Sequence, residues 1–148
     1  MFTSLRIGLA CAKGLAAVNK ISIKGFYTLD ALVFSLPQSI LDEKRTIIPV
    51  VDIRRDEIYF RIYQGLEPMS EPIITKPDSF AQKITKDAIL FGSGINRYQD
   101  LIKIKANVDF SVFPMTHPNP AAVAFHALQC INKNDISDIE TLVPFYVR

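Results

Sequence analysis

Tryptophan is absent from this chain of 148 residues, cysteine and histidine occur twice each, and the formal charges nearly cancel at +2. Each shortage excludes something. Cys11 and Cys130 lie far apart and in no CxxC pair, which excludes a disulfide-stapled scaffold and a cysteine zinc site and fits reduced thiols. His117 and His126 belong to no HExxH or other metal-ligand spacing, so neither reads as a ligand, and both read as surface residues. No apolar run approaches the ~18 residues of a membrane span. Arg6, Lys13 and Lys20 break up the apolar start, no small-residue cleavage site follows it, and the expected location is the cytoplasm, away from any membrane. Basic residues are scattered among acids, as in Asp42-Glu43-Lys44-Arg45, without the basic stripe of a polyanion binder.

What the chain does have is apolar material: 49% of its residues, aromatics at 10%. That is enough for a real core in one domain or two small lobes. Residues 4–18 read as a helix with Thr3 as its N-cap. Two of its glycines each cost roughly 1 kcal/mol relative to alanine, so something compensates. Gly8, Ala12 and Ala16 recur every four residues and share a flat face. Two readings stand: packing on the chain's own sheet, or a helix from another chain.

Residues 21–23 read as a short strand, and Thr28 as the cap of a second helix with Leu29, Leu32, Val33 and Leu36 on one stripe, ended by Pro37. A polar link over 38–45 separates this piece from a second lobe. The near-continuous apolar run 46–53 is typical of a buried strand. Arg54-Arg55-Asp56 then turns the chain into the alternating run 57–63, with Ile58, Phe60 and Ile62 on one side and Glu57, Tyr59, Arg61 and Tyr63 on the other, a β-hairpin. Further strands are expected at 71–75, 88–91 and 108–112. Pro77 opens a short helix with Phe80, Ala81 and Ile84 inward, and another short helix runs through Leu101. Asn119-Pro120 starts a last helix with Val123, Ala124, Ala127, Leu128 and Ile131 on its apolar face and His126 on its polar side. Helices alternating with strands, plus a hairpin, give an α/β fold with a mixed sheet.

Chemistry is sparse. Cys11 and Cys130 sit among small apolar residues and read as packing. Gly92-Ser93-Gly94 follows a strand and precedes a helix, which suits either a plain turn or a backbone cradle for phosphate; it lacks a Walker-type lysine. Asp52, Arg54, Arg55 and Glu57 crowd the hairpin tip, where the carboxylates serve either as arginine partners or as a general acid and base.

Several stretches resemble the TsaB (YeaZ) family. Residues 2–8, Phe-Thr-Ser-Leu-Arg-Ile-Gly, resemble the tail of its signature G-P-G-S-F-T-G-L-R-I-G, with Ser4 in place of a glycine, and residues 9–15 continue as L-A-x-A-K-G-L. Residues 27–32 look like the family's S-S-L-E-A-L helix start and 52–59 like its D-A-R-R-x-E-V-Y hairpin. Glu71-Pro72, Gly92-Ser93-Gly94, Pro120-Ala121-Ala122 and the ending 144–148 fall in the family's order.

The resemblance implies an ASKHA (actin-like ATPase/ribonuclease H-like) fold whose N-terminal lobe is truncated, because the family places a strand-rich segment before the signature. It divides the chain into a remnant of the actin-like lobe at 1–37, a linker at 38–45 and a C-terminal α/β lobe at 46–148. A misplaced start, a decayed gene or a deliberately shortened chain each accounts for this, and the lost strands would leave a sheet edge open and the chain poorly soluble without a partner. The implied function is a non-catalytic scaffold without cofactor or metal. It binds the catalytic paralogue TsaD, works with the ATPase TsaE in N6-threonylcarbamoylation of tRNA adenosine, and touches tRNA weakly or indirectly. Partner-binding residues carried over are Leu5, Gly8, Cys11, Ala12, Leu15 and Ala16, and the same helix can pair two copies of the chain. The alternative is an ASKHA-type ATPase or a glycoprotease-like peptidase.

Overall fold

The computed structural model describes residues 2–146. A long strand, β1 (Thr46–Arg54), organises it. The first half of β1 pairs antiparallel with β3 (Tyr63–Gln64), its second half antiparallel with β2 (Glu57–Phe60), and residues 47–49 run parallel to β6 (Ala88–Phe91). Beyond these lie β4 (Glu67–Pro68) on β3, β5 (Ile73–Thr75) on β2, and β7 (Phe110–Val112) parallel to β6, making seven strands in one mixed sheet among the described residues.

The continuous apolar run of β1 has a direct cause: helices cover both faces of the sheet. On one face, α4 (Pro77–Ala81) and α5 (Ser93–Lys105) pack Phe80, Ala81, Ile95 and Ile102 against Ile48, Val50, Ile58, Phe60 and Leu90. On the other, α2 (Thr28–Phe34) packs Leu29, Leu32 and Val33 against Ile47, Tyr63 and Phe91. Successive residues point to opposite faces, so Ile47 and Ile48 serve different cores. Each such side chain taken fully from water contributes on the order of 1.5–3 kcal/mol.

The expected elements are present with several corrections. Thr3 is not a cap, because α1 (Phe2–Asn19) already begins at Phe2. Residues 21–23 form no strand; Ile23 makes a single antiparallel bridge to Ser137. Thr28 is the first residue of α2, and Tyr27 occupies the N-cap without a side-chain bond. The polar link contains a short helix, α3 (Gln38–Leu41). The alternating run breaks after Phe60, and Tyr63 re-enters the sheet against Ile47, buried under α2 instead of facing outward. The helix expected to end near Leu101 continues to Lys105. In α6 (Pro120–Asn132), Asn119 caps the helix as expected, its side chain accepting from the Ala121 amide. The helix faces inward differently, however: Ala124 and Leu128 are exposed, while His126 stacks on Phe34 at 4.2 Å between ring centroids. His126 is half-buried and not the surface residue expected, and that burial lowers its pKa.

After α6 the chain returns as an irregular strap over residues 135–146. Ser137 donates its amide to Ile23 O (2.8 Å), Gly25 donates its amide to Ser137 Oγ (3.1 Å), and Lys24 pairs with Asp135. Leu142 lies so close to Gly25 that a Cβ there would sit 2.9 Å from its Cδ1.

Candidate interaction surface

α1, the longest of the described helices, contributes no residue to either core of the sheet. At 1.5 Å per residue it is roughly 27 Å long. Its only charged side chains are Arg6 and Lys13, and both turn toward the strap. Lys13 Nζ donates to Leu142 O (3.0 Å) and Glu140 O (3.3 Å); Arg6 Nε donates to Tyr146 Oη (3.2 Å). With the charges on the inner side, the outer side is left apolar. Ile7 is 64% exposed, Leu15 61% and Val18 83%. At helical spacing these fall with Cys11 and Gly14 on one stripe, i, i+4, i+7, i+8 and i+11 from Ile7. A soluble helix ordinarily puts its charges on such a face.

Of the six residues carried over from the sequence, Leu5, Gly8, Cys11, Ala12 and Leu15 are exposed; Cys11 and Leu15 lie on this face and Gly8 and Ala12 beside it, whereas Leu5 lies on the flank of half-buried Leu9. Gly8 meets nothing within 4 Å. Cys11 therefore does not pack within this chain. Ala16 departs from the other five: it is 4% exposed and turned toward the strap. Ile7 and Val18 were missed, and the helical wheel opposite Arg6 and Lys13 is the signal that finds them.

The hairpin tip is the second place where polar groups gather. Arg54, Arg55 and Asp56 take positive φ of 70°, 57° and 56°, three successive left-handed residues without a glycine. Such a conformation is costly and persists only when neighbours enforce it. Asp52 is one enforcer, its Oδ1 accepting the Arg54 amide (2.8 Å) while its Oδ2 accepts from Arg97 Nη1 (2.9 Å). Tyr98 Oη reaches Asp56 Oδ1 at 3.4 Å. Ser93 Oγ accepts the Asp52 amide at 3.1 Å, which ties the start of α5 to the hairpin. Gly92 stands at φ 105°, where a Cβ would lie 2.3 Å from Val50 O, so the close crossing of α5 over β1 demands glycine there. Among the described residues no three His, Cys, Asp or Glu side chains group as metal ligands, and no helix is long and apolar enough to cross a membrane.

A polar network joins α2 to the sheet. Tyr63 donates its hydroxyl to Asp30, which also pairs with Arg61 (3.4 Å); the two charged side chains are 18% and 12% exposed. Burial first, then the bond to Asp30, raises the pKa of Tyr63, and burial lifts Tyr59 to about 12.

The mixed-sheet α/β architecture defines the class, and solved structures share it over the whole chain. A crystal structure of an uncharacterized protein with similarity to peptidase YEAZ from Pseudomonas aeruginosa superposes with a TM-score of 0.79 and 18% identity, covering 100% of this chain and 69% of that one. YeaZ from Pseudomonas aeruginosa superposes with a TM-score of 0.75 at 18% identity, over 99% of this chain and 70% of that one. No protein-family model and no curated protein matches the chain. The fold is thus that of YeaZ, the family that the sequence motifs resemble.

Proposed function

We propose that the chain is a TsaB-type scaffold of the ASKHA class that docks the catalytic paralogue TsaD through α1, in a system with TsaE that threonylcarbamoylates N6 of adenosine in tRNA, and that it is not itself an enzyme. The observation that carries the reading is the uncharged outer face of α1, with Ile7, Leu15 and Val18 more than half exposed. Packing such a face against a partner removes apolar area from water, and Gly8, Cys11 and Ala12 let a second helix approach closely. The N-terminal lobe of this class is then represented by residues 1–37, with 38–45 as linker and 46–148 as the second lobe. Contact with tRNA runs through the partner, and the chain works in the cytoplasm.

The reading as an ATPase or peptidase draws its acid and base from Asp52 and Glu57 at the hairpin. Asp52 is instead engaged by Arg97 and by the Arg54 amide. Its partners favour a structural role.

The test is co-purification with the cognate TsaD. A Cβ at Gly8 would meet nothing within 4 Å of its own chain, so Gly8→Phe is expected to keep the fold and to obstruct a partner. We expect it to weaken TsaD capture at least tenfold with unchanged melting. Equal capture by the variant would sink the assignment of α1, and capture of a second copy in place of TsaD would make the face a homodimer contact.

A further inference from the structure

We infer that the C-terminal strap, residues 135–146, is the positioning element of α1, and that Lys13 is the residue through which it acts. The inference rests on the reading of α1 as a docking helix.

Among the described side chains of α1, Ala16 alone is buried. Between its C-terminal end and the strap lies an open cleft of about 370 Å3, lined by Ala16, Ile21, Ile136 and Ile139 among others. Close packing therefore does not fix the helix here; directional polar contacts do. Lys13 supplies two of them, onto the carbonyls of Glu140 and Leu142, and Arg6 a third, onto Tyr146, whose ring also lies 5.6 Å below the guanidinium. Three anchors on one side of a helix fix its rotation about its axis. That rotation decides whether Ile7, Leu15 and Val18 face outward together.

The strap is itself pinned. Asp135 pairs with Lys24, Ser137 bonds Ile23 and Gly25, and Tyr27 packs edge-on against Phe145 at 4.9 Å. Asp138 shapes the segment that presents the two carbonyls, its Oδ1 accepting the Glu140 amide (3.0 Å) and its Oδ2 the Thr141 hydroxyl (2.9 Å). None of these residues lies in the two cores of the sheet. α1 and the strap can therefore loosen without unfolding the rest, as low-stability segments do.

The experiment is amide hydrogen exchange of the intact 148-residue chain, alone and with purified TsaD, for the wild type, Lys13→Met and Asp138→Asn. Asp138 hydrogen-bonds within the strap and reaches Lys13 only through their opposite charges, so Asp138→Asn disturbs the strap's shape while leaving Lys13 and its two carbonyl acceptors in the chain. We expect exchange over residues 2–19 to rise at least tenfold in both variants, with residues 46–60 and 88–91 unchanged, and TsaD affinity to fall in parallel. Unchanged exchange over 2–19 overturns the inference while leaving α1 free to be the docking face. Faster exchange with undiminished affinity overturns the positioning role. If the wild type itself fails to bind TsaD, the scaffold reading falls, and the exchange of α1 alone still decides whether the strap holds it.

Discussion

The sheet with its flanking helices and the pair formed by α1 and the strap obey opposite rules. In the first, Ile47, Ile48, Val50, Ile58 and Phe60 are wholly buried and the polar groups are few. In the second, α1 turns Ile7, Leu15 and Val18 outward and its two charged side chains, Arg6 and Lys13, toward the strap. The first region buries its apolar side chains within the chain; the second leaves Ile7, Leu15 and Val18 at the surface. The contrast is open to experiment, beginning with the largest effect. Phe60 is fully buried and meets Phe80 edge-on at 4.7 Å. Phe60→Ala leaves a cavity and should cost about 3–5 kcal/mol. Ile7→Ala and Leu15→Ala, removing side chains already in water, should cost about 0.5 kcal/mol or less. Chemical denaturation of the isolated chain measures all three. A loss above about 2 kcal/mol for Ile7→Ala would mean that α1 is packed after all, and the contrast would fail.

A second effect, intermediate in size, concerns the seam between α2 and the sheet. Tyr63→Phe removes the hydroxyl that donates to Asp30 and leaves a partly buried carboxylate with Arg61 alone. The expected loss is about 1–2 kcal/mol near neutral pH. The sign of the pH dependence follows from the raised pKa. The folded state holds the Tyr63 proton more tightly than the unfolded chain does, so its contribution is complete below pH 10.0, the ordinary tyrosine value, and is lost as pH rises beyond it. The wild type should therefore lose more stability than Tyr63→Phe in alkaline melts. Parallel curves for the two proteins would remove the hydroxyl from the account.

The same contrast governs what the sequence made legible. In the sheet region, apolar periodicity and turn residues were sufficient: the stripe Leu29, Leu32, Val33 and Leu36, the tip at 54–56 and the inward Phe80 are where they were expected, and the strand expected at 46–53 runs one residue further, to Arg54. Tyr63 was misplaced because strict alternation assumes one continuous strand, and the chain leaves the sheet after Phe60. Helices α1 and α6 were harder to orient for a common reason. α6 contains no charged residue, so nothing in its composition marks an outer side, and a ring stack between Phe34 and His126 sets its facing instead. α1 carries charges, but they mark the inner side, since Lys13 and Arg6 bond the strap. That contact joins residues more than a hundred positions apart and has no local signature, which is also why Ala16 was grouped with the exposed face it does not share.

The smallest effect belongs to the strap and is set by acid. Asp135 is held below the ordinary carboxylate pKa first by its bond to Lys24, and Asp138 first by the Glu140 amide. Both folded-state pKa values are depressed, so their contribution is present above the ordinary value of 3.8 and is lost as pH falls through the lowered values. Both groups are exposed, so the effect on global stability is small, and its place is local. His126 titrates earlier: its depressed pKa means that protonation below its ordinary value of 6.5 opposes the Phe34 stack and loosens α6 from α2. Acid should therefore act in two steps, on α6 first and on the strap at lower pH, while the sheet stays intact. Residue-resolved NMR followed from pH 7 to pH 3 tests this order. Shifts in 135–142 and in α1 that move together, below the pH at which α6 responds, would tie α1 to the strap; a single transition encompassing the sheet would show that the two regions are one cooperative unit.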